Sequence, residues 1–448
     1  MAELGAGKRR IPFDWRRTAI ASLPFMGMIS FWQVFDGLVP KMLTGTFGLD
    51  NTVTGMVMAL DNVFGLFLLP WFGIMSDRCR SRLGRRTPYI LAGSAVAAIA
   101  VPLIAVANNV GSLPFLIAMI LVTLVAVCAY RTATIAIVAD ITPRPLRTKG
   151  DSVDKIVGYA GTGVMLVAIS VLVPSVAHPD YLPVFLLQGV MIAGSAVVFK
   201  LFLNERATVA RMHDESRAMG IDEDQIDVSD ADQAGGKDRV SDPGLRRSIA
   251  ILLAAVFFYY MSYNAMTTNI SRYASDFFSM QGGSYAIINI VTIAGGLISY
   301  VPVANISLRV GRKRVALVMG TLMVICPVLI WLFPTFSPLY YVLFLCMGAS
   351  LGAVDLCVYP MIIEDCGAAS VGRYSGYYYT VSMAAQVVTP ILSGAIMDVA
   401  EPQLFLYVAI TALAMCVFIA LAKHGNTILI DEVLRREEEG AETSAERG

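Results

Sequence analysis

The sequence predicts an all-α membrane protein of twelve spanning helices, built as two related halves of six. Composition, the lengths of the apolar runs and the sidedness of the basic residues carry that prediction. The chain has 448 residues, 56% hydrophobic and 15% charged, with a mean hydropathy of +0.66. A soluble domain carries about 25% charged residues, so this composition cannot cover a water-facing surface of ordinary polarity. The formal net charge is zero, which provides no global attraction to nucleic acid.

A hydrocarbon core about 30 Å thick takes about 20 apolar residues per helix. Runs of that length are read at 18–41, 52–75, 88–107, 112–139, 153–173 and 181–203, then at 248–272, 284–308, 315–333, 338–363, 376–399 and 403–423. The organisation that follows is a first bundle over 1–203, a cytoplasmic linker over 204–247, a second bundle over 248–423 and a cytoplasmic tail over 424–448. The linker is acidic at Asp222, Glu223, Asp224, Asp227, Asp230 and Asp232 and reads as a plain tether. The segment before Arg17 is polar, and the first apolar run exceeds the length of a signal-peptide core, so it reads as a spanning helix.

Basic residues check the count independently. With these spans, alternate loops collect Lys8–Arg17, Arg78–Arg86, Arg144–Lys155, the linker, Arg309–Arg314, Arg373 and the tail. Of 34 Lys and Arg, Lys200 and Lys423 sit at the span ends that lead into these loops, and only Lys41, Arg131 and Arg272 fall away from that side. By the positive-inside rule that side is cytoplasmic and holds both termini. A miscounted span would scramble the pattern. The expectation is a multi-pass protein of the plasma or inner membrane, with the lipid bilayer as its solvent.

The seven cysteines show no paired spacing, and His178, His213 and His424 sit in loops or tails away from other ligand types. Neither a disulfide framework nor a metal site is expected. No nucleophile–base set or phosphate-cradling loop is present either, so an enzyme is not expected.

The halves share marks. Gly84-Arg85-Arg86 follows the second span and Gly311-Arg312-Lys313 the eighth, each with an arginine two positions before the glycine (Arg82, Arg309). In the fourth span Arg131 precedes Asp140 by the same separation as Asp355 precedes Glu364 in the tenth. Parallel six-helix repeats of this kind mark the major facilitator fold. After the second span the chain reads Gly73-Ile-Met-Ser-Asp77-Arg78-Cys-Arg80-Ser81-Arg82-Leu-Gly84-Arg85-Arg86-Thr-Pro88. Gly73 permits close helix contact, Asp77 can accept from free N–H groups at a helix N-terminus, and Gly84 allows a tight turn.

This segment resembles the cytoplasmic signature of the major facilitator superfamily. Its four extra residues between Asp77-Arg78 and Gly84 resemble the sucrose-transporter group and the related glycoside–pentoside–hexuronide:cation symporters. Asp140 and Arg147, after the fourth span, match the same group more loosely. The resemblance implies cation-coupled uptake of a sugar, with no cofactor beyond the coupling ion. It also implies a cytoplasmic gate of Gly73, Asp77, Arg78, Gly84, Arg85, Arg86, Asp140 and Arg147, whose Asp77 would latch onto the start of the eleventh span near Gly376. The melibiose-permease branch carries its paired cation carboxylates where this chain has Gly65 and Leu69, and a sugar-binding aspartate where it has Arg131. Those features do not match, and the expected coupling ion is H+.

Ionisable residues at mid-membrane are costly and normally face a cavity or a partner. Asp36, Asp61, Arg131 and Asp355 lie in the first, second, fourth and tenth spans. In the major facilitator arrangement the first, fourth, seventh and tenth helices line the cavity. Arg131 is expected to pair with Asp355 or Asp36, either in a structural ion pair or in one that switches proton affinity. The proton-coupling candidates are Asp36, Asp61 and Asp355. Sugars are held by aromatic faces and polar side chains. The expected solute contacts are therefore Trp32, Gln33, Asp36, Tyr130, Arg131, Tyr263, Asn264, Asp355, Tyr359 and Gln386, with Phe31, Asn269 and the Tyr377–Tyr379 run nearby. Asp154 with Lys155, and Arg272 with Asp276, read as gate or surface pairs at opposite ends of their helices. The leading expectation is a monomeric, proton-coupled carrier of a disaccharide or glycoside. A carrier of another solute, an exporter and a membrane sensor derived from a transporter are the alternatives.

Overall fold

The structure, a computed structural model, describes residues 13–143, 146–176, 179–218, 243–333, 335–363, 368–400 and 402–422. Among them lie thirteen helices: α1 (Trp15–Gly45), α2 (Asn51–Arg78), α3 (Thr87–Val110), α4 (Leu113–Asp140), α5 (Arg147–Leu172), α6 (Leu182–Phe202), α7 (Glu205–Ala218), α8 (Pro243–Asp276), α9 (Ala286–Val310), α10 (Arg312–Leu332), α11 (Leu339–Ile363), α12 (Ala368–Val399) and α13 (Gln403–Leu421). Eleven are long and apolar enough to cross a bilayer. The twelfth is α9, whose 25 residues at about 1.5 Å each exceed a core about 30 Å thick. The chain is a multi-pass, all-α membrane protein of twelve spanning helices.

The remaining helix, α7, occupies part of the stretch read as a plain tether. Its sequence, Glu-Arg-Ala-Thr-Val-Ala-Arg-Met-His-Asp-Glu-Ser-Arg-Ala, is too polar to span, yet it buries Glu205, Met212 and Ser216. The acidic residues Asp222 to Asp232, Glu364 and the tail 424–448 lie outside the described residues.

Helices outrun their apolar stretches because hydropathy reports lipid contact and not hydrogen bonding. The start of α1 is set by Asp14, whose carboxylate accepts the Arg17 N–H at 3.1 Å. The spanning helices are apolar on both faces, since one meets protein and the other lipid. In α6, Phe185, Ile192 and Phe199 are buried while Leu186, Val190, Val197 and Leu201 are exposed.

The described chain falls into two compact units. Unit 1 gathers α1, the chain from Leu60 through α7, and Met280–Ala286. Unit 2 gathers Asp50–Ala59, α8 through Ser279, and the chain from Ile287 through α13. The units thus follow the two halves, except that the first turns of α2 count with unit 2 and the loop before α9 with unit 1.

Small residues let helices meet at backbone distance within each unit. In unit 1, α5 crosses α1 where a Cβ on Gly158 would meet the Phe25 ring at 2.7 Å and one on Gly161 would strike Met26. In unit 2, Gly295 of α9 and Gly348 of α11 each face a carbonyl of the other helix, from Leu345 and Thr292. Gly73 departs from expectation: a Cβ there would meet nothing within 4 Å, so no close helix contact depends on it in this state. Gly163 is likewise open.

Candidate functional site

Each unit carries a polar cluster among its spanning helices. In unit 1 the cluster is built on α1, α2 and α4. Arg131 stands over the Trp32 ring, its guanidinium carbon 5.8 Å from the ring centroid. The carboxylate acting on Arg131 is Asp61, and Asp61 in turn lies within electrostatic range of Asp36. Their sequence positions put all four at cavity depth, with Asp36 or Asp355 as the expected partner of Arg131. Within unit 1 the carboxylate in electrostatic range of Arg131 is Asp61; Asp355 belongs to unit 2. Spacing along a helix gives depth, whereas partner choice depends on rotation about the helix axis. Asp61 also accepts the backbone and side-chain N–H of Asn62, both at 2.5 Å. All four side chains, and Gln33 beside them, keep partial exposure.

Tyr130 departs from its expected role as a solute contact. It is fully buried, with its Cβ 2.8 Å from where a Cβ on Gly93 of α3 would stand, and has no exposed surface in this state. The α1 face toward α6 is polar in a different way: Gln188 donates to the Gly27 carbonyl at 2.9 Å and to Ser30 at 3.2 Å.

The unit 2 cluster is a group of tyrosines around Asp355. The charge of Asp355 reaches Tyr259, Tyr260 and Tyr378. Tyr260 and Tyr378 share a hydrogen bond at 3.1 Å, and Tyr359 and Ser375 share one at 2.9 Å. The Tyr359 ring packs edge-on against Tyr378, with centroids 5.0 Å apart, and Tyr259 stacks with Tyr263 at 6.4 Å. Tyr263, Tyr377 and Tyr379 are exposed, Asn264 is buried, and Gln386 donates to the Ser382 carbonyl at 3.2 Å. Asn269 instead braces α12, donating to Ser393 Oγ at 2.8 Å.

The turn between α2 and α3 is an ionic network. Arg86 reaches Asp77 at 2.5 Å, Asp140 through Nε at 2.9 Å, and Ser76 Oγ at 2.5 Å. Burial acts against its charge. The hydrogen bond and charge of Asp140, with those of Asp77, more than offset this and hold the guanidinium above the usual arginine range. Arg85 stands 3.8 Å from Asp140 and is half exposed. Arg78 is exposed at the end of α2, and Arg147 opens α5.

The carboxylate that caps a helix N-terminus here is not Asp77 but Glu205, the first residue of α7. Glu205 is 3% exposed. It accepts the N–H groups of Arg85 at 2.6 Å, Arg86 at 3.0 Å and Thr87 at 2.7 Å, and the Thr87 hydroxyl at 2.7 Å. These are the free donors at the start of α3. Gly84 makes the approach possible: its φ is 119°, and a Cβ would land on the Glu205 carboxylate. The expected docking point for Asp77 near Gly376 also changes. Because α12 begins at Ala368, Gly376 lies two turns inside the helix, where N–H groups are already bonded. Glu205 escaped notice because it sits just past the last apolar residue of α6, where a charge reads as the start of a loop. The expected Asp154–Lys155 pair is rearranged: Lys155 forms its ion pair with Asp151 at 3.1 Å, while Asp154 is buried against Ser22 of α1.

Comparison with known proteins agrees with this architecture. The model of the Major Facilitator Superfamily matches residues 22–383 and 251–445. The sucrose transport protein SUT4 of Oryza sativa subsp. indica is 30% identical over 96 residues, 21% of this chain and 16% of that protein. The sucrose transport protein SUC3 of Arabidopsis thaliana is 37% identical over 68 residues, 15% of this chain and 11% of that protein. The matched stretches thus span less than a fifth of those relatives. Among solved structures, the inward-open xylose transporter XylE from E. coli aligns with a TM-score of 0.66 at 11% identity, over 91% of this chain and 95% of that one. The POT family transporter PepTSo aligns with a TM-score of 0.64 at 11% identity, over 91% and 98%.

Proposed function

The chain belongs to the major facilitator superfamily, and we propose that it is a secondary active transporter that takes up a disaccharide or glycoside together with protons. It is a membrane transporter of a small molecule, not an enzyme. The observation that carries the finer reading is the unit 1 cluster, in which a half-buried arginine lies over the indole of Trp32 within electrostatic range of one carboxylate, Asp61, itself within range of a second, Asp36.

An indole face with an adjacent guanidinium and carboxylates suits a sugar: the ring packs on C–H groups while the polar heads take hydroxyls. The local identity to sucrose transport proteins supports the same solute class. Coupling follows from partner exchange. A carboxylate beside an arginine stays ionised, and one whose partner turns away in a dry cavity takes a proton. A solute hydroxyl that engages Arg131 would loosen Asp61 and so link sugar occupancy to proton occupancy. The tyrosines around Asp355 offer hydroxyl donors and ring faces for solute in unit 2. Under this reading the α2–α3 turn faces the cytoplasm, the termini lie on that side, and the working unit is a monomer.

The test is transport by the purified protein in liposomes loaded with a pH dye, against a panel of disaccharides, monosaccharides and dipeptides. The expected result is inward proton movement on adding a disaccharide. Proton movement driven only by a dipeptide, or sugar flux without protons, would overturn the reading. Asp61→Asn is expected to abolish uphill accumulation while sparing sugar exchange across the membrane.

A further inference from the structure

At the opposite end of α2 from its turn into α3, the first turn of the helix is fastened to α12 and α8 by contacts the transport reading does not use. Asp398, near the end of α12, accepts the N–H of Asn51 at 2.7 Å, the N–H of Thr52 at 2.9 Å and the Thr52 hydroxyl at 2.5 Å. A carboxylate there meets both the free donors and the positive end of the helix dipole. Arg272 of α8, 1% exposed, donates to the Asn51 side-chain oxygen at 2.7 Å and to that of Asn269. The backbones touch as well. A Cβ on Gly394 would strike the Asn51 carbonyl, and one on Gly55 would strike that of Pro390.

A fastening of different chemistry stands at the corresponding place in unit 1. The loop before α9, which counts with unit 1, is held by Lys41 of α1. Its ammonium donates to the Gly282 carbonyl at 3.1 Å and lies 4.3 Å above the Tyr285 ring. The Gly283 N–H donates to the Val173 carbonyl at the end of α5 at 3.3 Å, and neither Gly282 nor Gly283 has room for a Cβ against α5. These two stretches, Asp50–Ala59 and Met280–Ala286, are the two that part from their own half in the division of the chain.

We propose that Asp398 is a positioning residue of the transport cycle, a latch that holds the start of α2 on α12 in the state seen here and releases it when that face opens. The design reverses the arrangement expected for Asp77: a carboxylate at the end of the eleventh span caps the start of the second. Several features mark a releasable contact. The cap is made of hydrogen bonds at an exposed edge, the partners are a helix terminus and one side chain, and glycines keep the facing surfaces free of interlocking side chains. The inference needs only that the chain be a carrier of its superfamily. It holds for any solute or coupling ion.

The experiment measures distances between spin labels at Met56 and Thr335, both exposed and both in unit 2, in full-length protein with its native cysteines replaced. Wild type should give one dominant short distance. Asp398→Ala should raise the ratio of long to short distances about fivefold, the size of effect a lost N-cap gives. Gly394→Ala leaves the carboxylate intact but wedges the backbones apart, and should shift the ratio in the same direction. Should Asp398→Ala fail to assemble, Asp398→Asn and Thr52→Val weaken the same cap and carry the same expectation. The proposal is overturned if folded variants keep the wild-type distribution, including the case in which they only melt earlier. Because no solute is present, this result is independent of the sugar and proton assays.

Discussion

The α2–α3 turn of unit 1 and the α9–α10 turn of unit 2 share Gly-Arg followed by a basic residue, yet they are anchored by opposite chemistry. In unit 1 a buried carboxylate, Glu205, caps the start of α3, and Arg86 is held by Asp140 and Asp77. In unit 2 a lysine caps the end of a helix: Lys313 donates to the carbonyls of Ala420 at 3.0 Å and Ala422 at 2.5 Å, at the end of α13. Both use the helix dipole, the first at its positive end and the second at its negative end. Repeated sequence preserves the turn, while what braces it depends on which helix end lies within reach. In unit 1 that end is the start of α3 and the carboxylate comes from α7, which Arg17 also clamps to α1 through Glu215 at 2.9 and 3.0 Å.

The comparison predicts unequal sensitivity. The largest effect is expected from Glu205→Ala, which leaves three backbone donors and the Thr87 hydroxyl unpaired in a buried place. A loss of about 3 kcal/mol follows, within the range for breaking a buried charged contact, read as the melting shift of the protein in detergent. Glu205→Gln, which keeps one acceptor, should lose less. A smaller step is expected between the two glycines. Gly84 and Gly311 have φ of 119° and 97°, so alanine at either should cost about 1–3 kcal/mol in backbone strain. Gly84→Ala should cost more, because its Cβ also meets Glu205. Equal melting shifts for the pair would break the contrast.

Lys313→Met should cost less than about 1 kcal/mol, the usual worth of a cation at a helix end. The smallest effect concerns pH. Arg86 is held above the ordinary arginine range. A base with a raised folded pKa gives its full stabilisation below the unfolded value and loses it only as pH rises through the folded one. The arginine's contribution should therefore stay flat across neutral pH. A melting curve for Arg86→Met that ran parallel to wild type from mildly acid to mildly alkaline pH would agree, and convergence of the two there would not.

Much of the fold was legible because lipid imposes a one-dimensional rule: enough apolar residues, with basic residues on one side. The twelve spanning helices follow from it. It could not reveal α7, which Glu205, Met212 and Glu215 tie into unit 1 without an apolar stretch of spanning length. The site was legible in depth but not in rotation. Asp36, Asp61, Arg131 and Trp32 do gather in unit 1, and tyrosines do surround Asp355 in unit 2. Which carboxylate meets Arg131, and whether Tyr130 faces a cavity or Gly93, depends on how each helix is turned. A carboxylate on a helix terminus was expected at Asp77, which pairs with Arg86; Glu205 and Asp398 cap helix starts in this structure.

The Asp398 cap bears on how this protein would respond to directed evolution. Selection for heat resistance rewards any change that tightens a weak seam, and the seam between α2 and α12 is closed by three hydrogen bonds at an exposed edge. Variants that reinforce it should be recovered readily and should make good specimens for crystallisation. By the usual opposition of stability and activity, they should also be slow carriers.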